Sequence, residues 1–112
     1  MESAHAPDGA VMLANSAVDA MLQARGLAEG SVYKRLADAV ELGLITKEIR
    51  EWADSIRIES NNPRHADADE PHVSNERAKL MVEFARALAE ILFVLPAKAL
   101  TGKSEAERLD HQ

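Results

Sequence analysis

The sequence predicts an all-α protein, a four-helix up-and-down bundle with frayed termini. Three observations lead there. Apolar residues recur at steps of three and four along most of the chain. No segment alternates apolar and polar residues as a half-buried strand does. Capping residues and glycines fall where the periodic stretches begin and end. With 112 residues, 46% hydrophobic and 29% charged, the chain has one domain's length and apolar surface for one modest core.

The first helix is expected from Val11, with Val11, Ala14, Val18 and Met21 on one face and Leu22 beside them. Arg25-Gly26 reads as its end, a cation in the last turn and a glycine able to turn left-handed. Ser31 is the expected cap of a second helix, which carries Val32, Leu36, Ala39 and Val40 and closes at Gly43. Thr46 caps a third, with Glu48 in its first turn. Ile45, Ile49, Trp52 and Ile56 form its apolar stripe, and Trp52 belongs by default in the core. From Ser60 to Pro71 the periodicity stops. Pro63 cannot sit inside a helix begun at Thr46, so that helix is expected to end between Glu59 and Asn61. Ser74 caps a fourth helix, with Val73 as a hydrophobic staple. Its stripe is Met81, Phe84, Leu88, Ile91 and Leu95, widened by Leu80, Ala87 and Leu92. Pro96 is expected to end or kink it. Residues 1–10 and 101–112 read as a flexible N-terminus and a polar tail around a bundle at 11–100. The fourth stripe serves either the core alone or also a dimer seam.

Composition removes several function classes. Thirteen basic and nineteen acidic side chains give a net charge of −6, which disfavours general polyanion binding. A local basic spot remains able to hold a phosphate. The absence of cysteine removes disulfides, thiolate zinc sites and cysteine catalysis. No apolar run approaches a membrane span, and MESAHAPDGA has no basic segment followed by an apolar one. A cytoplasmic location without membrane contact is expected. The loop with His65, Asp67, Asp69, Glu70 and His72 holds metal-ligand types, but not at helical i, i+4 spacing, and it reads as a solvated acidic loop. The glycines make no phosphate loop. No metal or cofactor is expected.

The segment IRIESNNPRH carries the candidate site. Arg57, Asn61 and His65 follow one another at steps of four, which on a helix would keep them near one face. Arginine offers a fixed fork of donors to a phosphate. Histidine transfers protons near neutral pH, and asparagine orients either group. These are the parts of a metal-independent cleavage of an RNA phosphodiester by its own 2′-hydroxyl. The same residues also admit a plain reading, in which Arg57 pairs with Asp54 or another acid, Asn61 caps the helix end and His65 lies on a surface loop.

Gly43-Leu44-Ile45-Thr46, Trp52-Ala53, Ile56-Arg57, Asn61, His65 and Leu95-Pro96 occur in an order that resembles an uncharacterised bacterial domain family within or close to the HEPN superfamily. The resemblance spans residues 11–100. It implies a HEPN-like four-helix bundle that often dimerises. In catalytic members an Arg-x(4–6)-His motif from two protomers meets at the dimer interface as a metal-independent ribonuclease site. Carried over, Arg57 would hold the phosphate, His65 would transfer the proton and Asn61 would be the polar partner. The sequence departs at two points. Seven residues separate Arg57 from His65, and Ser60 stands where the family usually has glycine. Three functions are thus expected as competitors. The first is a HEPN-like dimerisation or interaction module, a homodimer or the partner of another protein or RNA, linked by the resemblance to bacterial defence or toxin–antitoxin systems. The second is a metal-independent endoribonuclease. The third, resting on net charge alone, is an acidic inhibitor of a nucleic-acid-binding enzyme.

Overall fold

A computed structural model describes residues 6–58 and 74–111. Every element in them is helical: α1 (Ala6–Ala24), α2 (Val32–Glu41), α3 (Lys47–Ser55), α4 (Asn75–Ala89), a π-helical turn (Glu90–Val94) and α5 (Leu95–Asp110). The last three run on without a break, so four helical segments make a bundle. α1 packs along α4, α2 packs on α3, and α1 also meets α2.

The helix starts follow from three hydroxyls. Ser31 Oγ accepts from the Lys34 N–H at 3.1 Å, Thr46 Oγ1 from Ile49 at 3.4 Å, and Ser74 Oγ from Arg77 at 3.2 Å. Each satisfies an amide that has no partner inside its own helix. α1 begins five residues before Val11. Pro7 sits in its first turn, where no N–H is required, and Asp8 faces the positive end of the helix dipole.

The core is built from the expected stripes. Val11, Ala14, Val18 and Leu22 of α1 meet Ala78, Met81, Phe84, Ala85, Leu88 and Leu92 of the last segment. Leu27, Leu36, Ala39, Ile45, Ala53, Ile56 and Ile58 complete it. Trp52 lies edge-on to Phe84, with ring centroids 5.2 Å apart, and ties α3 to α4. Among the described residues no helix is long and apolar enough to cross a membrane.

Three expectations about boundaries are corrected. α3 stops at Ser55, before the span expected from Pro63, because the chain turns left-handed at Arg57. Pro96 does not end the fourth segment. The Leu95 N–H reaches back to the Glu90 carbonyl, a five-residue π step. The wider turn accommodates a proline, which has no N–H and whose ring would press on the carbonyl four residues earlier. That step moves Leu95 off the stripe, and it is exposed, as is Leu80. Finally, the polar tail expected to fray is drawn out as helix to Asp110.

Candidate functional site

Two places stand out from the packed bundle. One is the corner after α3. The Arg57 N–H donates to the Asp54 carbonyl at 3.1 Å, and the Ile58 N–H to the Ala53 carbonyl at 3.3 Å. This is a Schellman end, which needs a left-handed residue at its apex. α1 and α2 end in the same way. Gly26 donates to the Gln23 carbonyl and Leu27 to Leu22. Gly43 donates to Val40 and Leu44 to Ala39. There the apex is glycine, with φ of 86° and 75°, whereas Arg57 takes φ of 53°. Left-handed geometry disfavours a residue with a Cβ. It is held here because Ile56 and Ile58, on either side, are both buried. The two anchors leave Arg57 exposed between them.

Among the described residues Arg57 forms no ion pair with Asp54, so that part of the plain reading is set aside. The other two expected site residues, Asn61 and His65, lie outside the described residues. So do Val73 and the acidic loop holding His65, Asp67, Asp69, Glu70 and His72. Among the described residues, Arg57 is the one expected site residue at this corner. A guanidinium on a fixed, exposed turn can grip a phosphate or carboxylate through two parallel bonds. Among the described residues no group of three metal-ligating side chains occurs.

The second place is the far end of the last segment. α5 has 16 residues and buries none of them. At its base Phe93, Val94 and Leu95 are exposed, and Leu100 and Leu109 remain 70% and 59% exposed farther out. An open groove along this face is lined by Phe93, Val94, Ala97, Lys98, Thr101 and Gly102. Sequence reasoning missed it, since Pro96 and the polar composition read as a terminus. The signal was present in Leu100 and Leu109, which a disordered polar tail has no need of.

Arg35 was missed as well. It is 6% exposed. Its guanidinium meets Asp19 Oδ1 at 2.8 Å and donates to the Leu27 carbonyl at 3.2 Å. Gln23 donates to the other Asp19 oxygen at 2.8 Å. This cluster clamps the α1–α2 corner. Its chemistry is structural, because both the carboxylate and the carbonyl are engaged. Elsewhere acids are interleaved with cations, as in Lys34–Asp38, Lys47–Glu51, Lys103–Glu107 and Arg108–Glu105.

A family model described as a domain of unknown function (DUF4145) matches residues 3–110. The chain belongs to this family. No curated protein matches the chain, and no solved structure does.

Proposed function

We propose that the chain is a helical dimerisation module, HEPN-like in build, that self-associates through α5 and the apolar turns at its base. One observation carries this reading: a regular helix of 16 residues with no side chain buried by its own chain. Helices of that length are marginal alone in water, and most helical stability comes from packing an apolar face. The exposed Val94 and Leu109, with Phe93 and Leu95 beside Val94, supply apolar surface where a second copy would dock. The resemblance to HEPN-like modules adds a bacterial defence or toxin–antitoxin setting and a cytoplasmic location. Sedimentation of the full chain is expected to give twice the 12.2 kDa of one copy. Val94→Asp with Leu109→Asp is expected to return it to one copy with its helix content retained. A chain that stays single at every concentration rejects the reading.

A metal-independent endoribonuclease is the second reading, favoured by the strained backbone at Arg57, since residues held in disfavoured conformations concentrate at functional sites. Arg57 would hold the scissile phosphate, His65 would move the proton and Asn61 would orient them. With EDTA present, purified protein should then cut single-stranded RNA to cyclic phosphate ends, and His65→Ala should abolish the cutting. Intact RNA with wild-type protein, or unchanged cutting by the variant, rejects it.

A further inference from the structure

α5, with the last residue of the π turn before it, carries a face whose positions mirror one another about its middle while the charge reverses. Val94, Lys98, Thr101, Gly102, Glu105 and Leu109 follow at steps of four, three, one, three and four. On an α-helix these positions lie within about 100° of arc. All six are exposed. Around a midpoint between Thr101 and Gly102 the spacing is symmetric and the charge is opposite: small residues at the centre, a cation on one flank and an anion on the other, an aliphatic residue at each end.

We propose that this face pairs with the same face of a second copy, antiparallel, about a two-fold axis passing between Thr101 and Gly102. The proposal rests on the dimerisation reading and names its geometry. In that arrangement Val94 of each copy meets Leu109 of the other, and Lys98 meets Glu105 twice over. The small central pair lets the two backbones approach closely.

Charge complementarity selects this occupant. Lys98 and Glu105 are two helical turns apart, roughly 10 Å along the axis, too far to bond within one helix. Lys103 finds an acid within α5 at Glu107, and Arg108 holds Glu105 through Oε2 alone, at 3.1 and 2.9 Å, which leaves Glu105 Oε1 for a second cation, whereas Lys98 forms no ion pair among the described residues. It lines the groove instead, beside Val94, Thr101 and Gly102. A parallel pairing would place Lys98 against Lys98 and Glu105 against Glu105, and like charges facing one another oppose association. Isologous pairing also satisfies both copies through one surface and closes the assembly at two.

The chain has no cysteine, so single thiols can report the register. Val94→Cys and Leu109→Cys variants of the full chain, mixed under mild oxidation, should form a mixed disulfide. Neither variant should link to itself, because Val94 and its symmetry copy stand about 20 Å apart along the axis. Lys98→Glu and Glu105→Lys should each weaken the dimer roughly tenfold, and the double variant should regain most of that loss. All substituted positions are exposed, so folding does not depend on them. A Val94→Cys protein that links to itself overturns the antiparallel arrangement. A dimer that gives no mixed disulfide and ignores both charge reversals overturns the inference while leaving the dimerisation reading intact. A protein that never dimerises removes both.

Discussion

α4 and α5 are two parts of one continuous helical segment, with opposite relations to the rest of the chain. Between Ala78 and Leu88 the segment buries five side chains against α1 and its neighbours. From Leu95 onward it buries none. The π turn at Glu90–Val94 separates the two, and Leu92 within it is the last side chain of the core. The difference teaches that helix formation and bundle formation are separate matters here. The first half is fixed by packing. The second half continues the backbone pattern beyond the packing, as a presented surface.

The contrast is sharpest in substitutions of apolar residues on either side of the π turn. Phe84 is fully buried and stacks against Trp52. Phe84→Ala is expected to destabilise the fold by about 3–5 kcal/mol, through lost burial and the cavity left behind. Leu109→Ala is expected to leave monomer stability within about 0.5 kcal/mol, because its side chain is mostly exposed. Chemical denaturation of both variants, at concentrations where only single copies exist, checks the pair. A comparable loss at Leu109 would mean that α5 packs on its own bundle, and the comparison would fail.

A second test lies at the α1–α2 corner, where the packed part includes a charge. Arg35→Met keeps much of the stem's volume but removes both donors. The buried Leu27 carbonyl then loses its side-chain donor, while Asp19, half-exposed, turns to water. A loss of about 1–3 kcal/mol is expected, measured by thermal or urea unfolding. A neutral outcome would place Arg35 with the displayed residues rather than with the packed ones.

Much of this division was legible in the sequence. The stripe of α1, that of α4 through Met81, Phe84 and Leu88, the three hydroxyl caps and the two glycine ends follow from spacing and local chemistry, and the structure places them as read. What escaped has physical reasons. Arg35 resembles any surface cation on a helix, and only tertiary packing reveals the carbonyl of Leu27 above it. Pro96 is a stop signal in most helices, and a π turn that accommodates it leaves no mark in apolar periodicity. The end of α3 was placed too late, since Pro63 was the visible breaker while Arg57 occupies a position where glycine is the usual signal. Of the three residues expected at the site, Arg57 alone falls among the described ones, so its corner is the part that structure adds to the sequence motif.

The glycine apices supply the next test. Gly43 takes φ of 75°, and a Cβ built there meets nothing within 4 Å. Gly43→Ala therefore isolates the backbone term from any clash. It is expected to lower stability by roughly 1 kcal/mol. A smaller loss would show that this bundle tolerates left-handed side chains readily, and Arg57 would cease to be exceptional.

Arg57→Gly is the converse and carries the smallest expected effect. Glycine relieves the left-handed strain, while its greater freedom in the unfolded chain takes back part of the gain. The exposed stem of Arg57 covers little that would be lost. The net expectation is a gain of about 0.5 kcal/mol, read as a small rise in the urea midpoint at unchanged slope. Natural proteins keep a disfavoured conformation where the side chain does something that stability does not reward. A gain on replacement thus sets Arg57 beside α5, as a displayed group on a packed frame, and directs the search for an anionic ligand to this corner. A loss would show that the guanidinium holds the turn together, and would return Arg57 to the packed half of the comparison.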